Sequence, residues 1–163
     1  MTSQPAGPEM SLRIRRVFPA PRERVWAAWT QREQLEEWMC KDVPTHDPKY
    51  VGLDVRPGGR YAMEIPLPDG KYVGQGTFRE VQPPEKLVFT WSWTRVPEKP
   101  GEDLGGESVV TVELFDRGAS TEMLFTHTGL KTPEIHEGTR TGWQGCFEAL
   151  ERTLDRLREG SLT

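Results

Sequence analysis

The stretch that decides the fold lies near the C-terminus and reads TPEIHEGTRTGWQGCFEALERTLDRLREG, residues 132–160. From Trp143 onward its large apolar residues recur at alternating spacings of four and three, the period of one helix face. They are Trp143, Phe147, Leu150, Leu154 and Leu157. Thr132 suits the N-cap, Pro133 the first helical position and Gly160 the end. The pattern predicts a long C-terminal helix with a narrow apolar stripe.

The first half of this predicted helix is built differently from the second half. Thr139 and His136 continue the direction of the stripe one and two turns earlier. Small residues cluster on its flank: Gly138, Gly142, Gly145 and Ala149. A glycine inside a helix costs about 1 kcal/mol relative to alanine, so several of them indicate a need for space. We expect this half to face a cavity; the alternative is that the first turns are frayed and exposed.

Upstream of the helix, apolar and polar residues alternate in short runs, which is typical of half-buried strands. The runs are residues 12–18, 50–55, 60–65, 72–81, 87–93, 110–114 and 123–127. Connectors such as Arg56-Pro57-Gly58-Gly59 have the composition of hairpin turns, which favours a meander of antiparallel strands. The stretch 96–106, rich in Pro, Gly and acidic residues, is expected to be a mobile surface loop.

Two short helices are predicted between the first two strands. Pro21 suits the first turn of one helix, and Thr30-Gln31-Arg32-Glu33 matches a capping box that opens the other. Their buried sides are expected to carry Val25, Trp26 and Trp29 in the first helix and Leu35, Trp38 and Met39 in the second. The order of one strand, two helices, about six strands and one long helix predicts an α+β fold in which a helix covers one face of a sheet.

Length and charge set the broad class of the chain. Its 163 residues suit a single domain, with residues 1–10 as a flexible leader and residues 11–160 as the folded part. The net charge of -4, without a basic patch, argues against a nucleic-acid partner. The sequence has neither an apolar run long enough to span a membrane nor a signal peptide, so a cytoplasmic location is expected.

Few residues point to reaction chemistry. His127 and His136 bracket the turn into the long helix and are candidates for an acid, a base or a hydrogen-bond donor, the alternative being structural packing. Cys40 and Cys146 lack metal-ligand spacing and are expected to remain thiols in the cytoplasm. His46, with Asp42 and Asp47 nearby, also lacks the spacing of a chelating set. We therefore assign no metal, no cofactor and no catalytic residue.

Two glycines in the predicted strand 72–81 look like part of a nucleotide-binding motif. Gly74-Gln75-Gly76 lies within a predicted antiparallel strand and lacks the third glycine and the following helix of a dinucleotide fingerprint. It is expected to mark a bend or a bulge.

Short motifs follow one another in a characteristic order along most of the chain. They are Ala20-Pro21, Val25-Trp26, Trp29, Trp38, RPGGRY at 56–61, FREV at 78–81, PPEKLVFTW at 83–91, THTG at 126–129 and Gly142-Trp143. This order resembles the activator of Hsp90 ATPase homologue 1-like (AHA1-like) branch of the START-like (SRPBCC) superfamily, over residues 12–157. The resemblance implies a helix-grip fold, a curved antiparallel sheet of six to seven strands around the C-terminal helix, with a cavity between them.

The resemblance leaves three functions open. Related branches bind lipids, hormones or polyketides, so the leading hypothesis is a monomer or homodimer that holds a hydrophobic or aromatic small molecule in the cavity. The better-known members stimulate Hsp90, which makes a chaperone a possible partner. A cyclase or hydrolase using pocket histidines is the third, although the absence of a nucleophile motif in the sequence leans against an enzyme. The expected ligand-binding residues are Trp38, Met39, Met63, Trp91, Trp93, His127, His136, Thr139 and Trp143.

Overall fold

The computed structural model describes residues 10–41 and 45–161, with side chains through residue 156. Three helices and seven strands occur in these residues. In chain order they are β1 (Met10–Phe18), α1 (Arg22–Thr30), α2 (Arg32–Trp38), β2 (Lys49–Leu53), β3 (Arg60–Leu67), β4 (Gly70–Gln82), β5 (Lys86–Val96), β6 (Ser108–Arg117), β7 (Ser120–Leu130) and α3 (Pro133–Ser161). Met10, placed in the predicted leader, begins β1; the rest of the leader lies outside the described residues.

All seven strands form one antiparallel sheet with the order β1-β7-β6-β5-β4-β3-β2. Strands β2 to β7 are neighbours in sequence order, so the predicted meander is confirmed. β1 joins the far edge beside β7, where Leu12 lies opposite His127. The sheet and the helices together make the α+β, helix-grip-like architecture that was expected.

The two short helices cross one face of the sheet because they connect its opposite edges, β1 and β2. α1 contacts β6, β7 and α3, whereas α2 contacts β2 and α3. α1 therefore lies between the sheet and the long helix. Its Trp29, which is 2% exposed, packs within 4.7 to 6.4 Å of five aromatic rings. These rings belong to Trp38, Phe89, Phe125, Trp143 and Phe147.

The predicted capping box at the start of α2 is wrong. Gln31 is the N-cap residue, and its side chain makes no capping hydrogen bond. Thr30 is instead the last residue of α1, where its hydroxyl donates to the carbonyl oxygen of Trp26 at 2.8 Å. The Thr30 hydroxyl therefore bonds within α1 and does not cap α2. Trp26 itself is only half-buried, although it packs against the core.

The long helix α3 begins as predicted. The backbone N–H of Ile135 donates to the Thr132 hydroxyl at 3.1 Å, and Pro133 is the first helical residue. The apolar stripe of α3 faces the core. Each of the four stripe side chains that the structure describes is at most 5% exposed: Trp143, Phe147, Leu150 and Leu154. The side chain of Leu157 lies outside the described residues. The helix continues to Ser161, one residue beyond the predicted stop at Gly160.

The glycine pair in β4 marks a place where two strands come unusually close. A Cβ atom at Gly76 would collide with the carbonyl oxygen of Thr90 on β5. The register between these two strands then shifts between Phe78 and Glu80. The irregularity expected near residues 74–76 therefore lies slightly further along β4.

The described part of the chain contains no helix with the length and hydrophobicity that a membrane span requires.

Candidate functional site

A cavity of about 310 Å³ lies between α3, strand β5 and the end of α2. It is partly open to the solvent, and most of its lining is apolar or aromatic. Of the described residues, ten line it: Met39, Cys40, Trp91, Trp93, Ile135, Gly138, Thr139, Gly142, Trp143 and Cys146. Its position between the sheet and the C-terminal helix makes it the candidate ligand site.

The first half of α3 forms one wall of this cavity. Thr139 and Trp143 are one helical turn apart and therefore share a face, as do Gly138 and Gly142. A Cβ atom added to Gly138 would meet no atom within 4 Å, because the space beside this residue is open. The glycines of α3 thus leave room where larger side chains would fill the cavity.

Three tryptophans form the aromatic part of the lining. Trp91 and Trp93 lie two residues apart on β5, so both project from the same face of the sheet. Their rings meet edge to face at 5.4 Å, and the ring of Trp143 on α3 lies 5.3 Å from that of Trp91. Trp91 and Trp143 are buried, whereas Trp93 is half-buried and closest to solvent. The strand and the helix therefore fix an aromatic corner beside the cavity.

His127 lies behind this aromatic corner in a continuous chain of hydrogen bonds. The indole N–H of Trp143 donates to His127 Nδ1 at 3.0 Å, so the ring proton must be on Nε2. His127 Nε2 lies 2.6 Å from the Ser108 hydroxyl, which in turn donates to the carbonyl oxygen of Trp91 at 3.1 Å. Burial lowers the pKa of His127 to about 4. The imidazole is therefore neutral at pH 7, with both nitrogens occupied.

The structure brings together five of the nine residues predicted to bind the ligand. Those that line the cavity are Met39, Trp91, Trp93, Thr139 and Trp143. The other four lie outside the described lining: Trp38, Met63, His127 and His136. Trp38 is fully buried and donates its indole N–H to the carbonyl oxygen of Ala28 at 2.9 Å, while Met63 is fully buried on β3.

The two histidines that were expected to bind the ligand have separate surroundings. His136 is partly exposed, and its Nε2 donates to the carbonyl oxygen of Ser11 at 3.0 Å. This bond ties the start of α3 to β1. His127 is 1% exposed on β7 and bonds to Ser108 and Trp143. The described geometry therefore gives both histidines structural hydrogen bonds.

Five lining residues were not among those predicted to bind a ligand. Two of them, Gly138 and Gly142, belong to the small-residue flank of the helix half that was expected to face a cavity. The other three are Ile135, Cys40 and Cys146. Ile135 lies one turn before Thr139, so helical spacing alone was a signal that could have found it. Cys40 and Cys146 are 106 residues apart in sequence and meet at the cavity wall, where the backbone N–H of Cys40 donates to the sulfur of Cys146 at 3.2 Å. No spacing rule connects them, because the contact depends on how α2 packs on α3.

A second cavity of about 220 Å³ adjoins the first and shares Cys40 and Trp93 with it. Its other lining residues in the described chain are His46, Ile65, Tyr72 and Leu104. Leu104 belongs to the segment 97–107, which connects β5 to β6. Residues 96–106 were expected to be a mobile surface loop. His46, with Asp42 and Asp47, was expected not to form a metal site, and Asp42 lies outside the described residues.

The connecting segment 97–107 is attached to the sheet through Glu102. The hydroxyl of Tyr72 donates to the Glu102 carboxylate at 2.8 Å, and this hydrogen bond raises the pKa of Tyr72. The guanidinium of Arg95 lies 3.6 Å from the same carboxylate and 3.0 Å from Asp69. Nearby, the backbone of Gly105 lies close to the Ile135 side chain of the cavity wall. These contacts place the segment beside the cavity.

Comparison with known protein families gives a match over most of the chain. The model of the family described as "Activator of Hsp90 ATPase homolog 1-like protein" matches residues 19–155. No curated protein matches the chain.

Solved structures with the same architecture come from several bacteria. A protein from Arthrobacter aurescens is 27% identical, with a TM-score of 0.76 over 90% of this chain and 86% of that one. Protein MLL2253 from Mesorhizobium loti is 28% identical, with a TM-score of 0.71 over 90% and 98% of the two chains. Protein CV1439 from Chromobacterium violaceum, at 23% identity, has a TM-score of 0.74 over 89% and 97%, which shows the shared fold.

Proposed function

The chain belongs to the activator of Hsp90 ATPase homologue 1-like family, and from that premise we propose that it binds a hydrophobic or aromatic small molecule between its sheet and α3. The observation that carries the proposal is the cavity of about 310 Å³ beside Trp91, Trp93 and Trp143. Ligand sites in proteins are concave, mostly apolar and lined by aromatic residues with a few polar groups, and this cavity has that character.

The chemistry of the lining indicates a neutral, flat ligand. None of the ten described lining residues is an acid, a base or a histidine, so a charged ligand would lose its hydration without gaining an ionic partner. The Trp91 and Trp93 rings offer faces and edges for aromatic contact. The Thr139 hydroxyl supplies one group that can orient a polar substituent. A volume at the lower end of the range for ligand sites favours a compact molecule.

Filling the cavity from α3 tests the proposal. In Gly138→Leu the new side chain occupies open space, and the helix gains propensity, so the variant is expected to fold. We expect it to bind the uncharged hydrophobic dye N-phenyl-1-naphthylamine more weakly, on the order of tenfold or about 1.4 kcal/mol. Dye fluorescence titration gives the dissociation constant, and thermal melting with a panel of aromatic metabolites extends the search to other ligands.

Gln144→Leu is the matched control, because it adds the same side chain to an exposed position of α3. It is expected to bind the dye as the unmodified protein does. Equal affinity in the unmodified protein and in Gly138→Leu would place the dye elsewhere and count against this cavity as the ligand site.

The cytoplasmic location of the protein and its oligomeric state, a monomer or a homodimer, remain predictions.

The family itself supplies the reason to consider a chaperone partner. Its description refers to activation of the Hsp90 ATPase, and this is a family-level association only. The test is the ATPase rate of Hsp90 with and without the purified chain. An ATPase rate that does not change at a saturating concentration of the purified protein removes this function. Stimulation that persists with Gly138→Leu would show that the stimulation does not need the cavity.

A cyclase or hydrolase acting through the histidines has weaker support. A general base needs a nitrogen that can reach the substrate. Both ring nitrogens of His127 are occupied by Trp143 and Ser108, and His136 bonds to Ser11. We therefore place ligand binding ahead of catalysis.

A further inference from the structure

Two cysteines from distant parts of the sequence meet at the wall of the cavity. Cys40 directly follows the C-cap residue of α2, and Cys146 lies in the middle of α3. The Cys40 backbone N–H donates to the Cys146 sulfur at 3.2 Å. They are 8% and 4% exposed, and both line the cavity, so small molecules that enter it reach them.

We propose that Cys40 and Cys146 are an oxidisable dithiol, a modification site whose disulfide weakens ligand binding in the adjoining cavity. The effect on binding rests on the proposed function; the modification itself does not. Disulfides form between residues whose Cα atoms are about 4.4–6.8 Å apart. The sulfur of Cys146 lies 3.2 Å from the backbone nitrogen of Cys40, so the two residues are neighbours and a movement of the end of α2 toward α3 would bring their sulfurs together.

The backbone conformation of Cys40 is a second feature that distinguishes this residue. Its φ angle is 58°, the left-handed conformation that ends many helices and that glycine usually supplies. For other residues this conformation costs about 1–2 kcal/mol. A cysteine therefore stands at a position where glycine would be easier to accommodate, and the group that its amide contacts is the sulfur of Cys146.

The oxidation can be written with hydrogen peroxide, which is small enough to enter the cavity. One thiolate attacks an oxygen of the peroxide, the O–O bond breaks, and a sulfenic acid and water are formed after proton transfer. The second thiolate attacks the sulfenic sulfur, forms the S–S bond and releases a second water. The two sulfurs lose two electrons in total, and the peroxide receives them. A dithiol reductant such as dithiothreitol reverses the reaction.

The disulfide would act on the cavity through the two helices that it joins. α2 and α3 are in contact, and Cys40 and Cys146 together form the part of the lining between them. A bond between the sulfurs draws the end of α2 toward α3 and removes two separate thiol groups from the wall. Since the cavity is only about 310 Å³, a shift of this wall takes a substantial share of the space for a ligand.

The test treats the purified reduced protein with hydrogen peroxide and measures its intact mass. We expect the loss of two hydrogen atoms, reversal by dithiothreitol, and a linked pair of peptides containing Cys40 and Cys146. Cys40→Ser and Cys146→Ser retain one thiol each, so they should stop at a sulfenic acid that dimedone traps. Cys146→Ala replaces Cys146→Ser if the buried hydroxyl prevents folding.

The same samples report on binding through titration with N-phenyl-1-naphthylamine. The oxidised protein is expected to bind the dye several-fold more weakly than the reduced protein, and the Cys40→Ser/Cys146→Ala double variant should not respond to peroxide. Over-oxidation of single thiols without a linked peptide pair overturns the modification site. A disulfide with unchanged dye affinity overturns its control of binding. A disulfide that forms in a protein that binds no dye when reduced supports the dithiol and counts against the proposed function.

Discussion

At the scale of single residues, His127 shows how a polar group can be held inside an aromatic core. Its two nitrogens are occupied by one donor and one acceptor, Trp143 and Ser108, so a neutral imidazole satisfies every partner. A protonated ring would bring a second N–H against the indole N–H of Trp143. The arrangement therefore selects one protonation state as well as one orientation.

The folded protein is expected to lose stability in acid because of His127. Its pKa is about 4 in the folded state and about 6.5 when unfolded, so the unfolded chain binds a proton first as the pH falls. The contribution of neutral His127 to the free energy of unfolding is fully present above pH 6.5. It is lost progressively toward pH 4, by an amount on the order of 3 kcal/mol. Urea unfolding between pH 7.5 and 4 measures the free energy.

His127→Leu provides the comparison that isolates this residue from the carboxylates that also titrate in acid. The variant should be less stable at pH 7, since Ser108 and the Trp143 indole lose a partner. Its loss of stability between pH 6.5 and 4 should be smaller than that of the unmodified protein. Parallel curves for the two proteins would mean that His127 does not titrate in this range.

At the scale of secondary-structure elements, α3 combines two different surfaces in one helix. From Trp143 onward its stripe fills the core, while Ile135 to Gly142 lies beside the cavity. The apolar spacing predicted the first surface directly, because burial of a regular stripe depends on helix geometry alone. The glycines predicted the second only as a need for space, since what occupies that space depends on the strands opposite.

Substitutions in the two halves of α3 should have opposite effects on stability. Leu150→Ala removes a fully buried side chain and is expected to cost about 2–5 kcal/mol. Gly138→Ala adds a methyl group to open space and should gain up to about 1 kcal/mol. Gln144→Ala, at an exposed position, should change stability by less than about 0.5 kcal/mol. Urea denaturation of the three variants checks the order; destabilisation by Gly138→Ala would show that the wall is tightly packed.

Other elements show why some predictions from sequence fail. Thr30 has the correct spacing for a capping box, yet its hydroxyl bonds within α1, because a Ser or Thr side chain can reach a carbonyl one turn earlier as easily as an amide ahead. Hairpin neighbours such as β3 and β4 were predictable because their pairing follows from the turn between them. The contact between Cys40 and Cys146 was not, because it requires the tertiary positions of two helices.

At the scale of the whole molecule, α1 unites the structure by lying between the sheet and α3. Trp29 touches aromatic residues from both layers, including Phe125 on β7 and Phe147 on α3. Because the Trp29 side chain packs against both the sheet and α3, the stability of each layer depends on the other. The resemblance to a known family predicted the two layers, but the residue that joins them became clear only from the packing.

A single cooperative unfolding transition is the expected result of this arrangement. Far-ultraviolet circular dichroism reports the backbone, and tryptophan fluorescence reports the aromatic core, so their urea midpoints should coincide. Trp29→Phe should lower both midpoints together, because it thins the contact between the layers without unpairing a strand. Separate midpoints for the two signals would indicate that the sheet and the helices unfold independently.

The pairing of β1 with β7 has a consequence for the order in which the chain is made. Met10 to Phe18 is translated more than a hundred residues before its hydrogen-bonding partner, Ser120 to Leu130. Arg16 of β1 also bonds to Glu151 of α3 at 3.1 Å, which is synthesised later still. The first strand of the nascent protein therefore lacks its native sheet partner until β7 has been translated, and its contact with α3 forms later still.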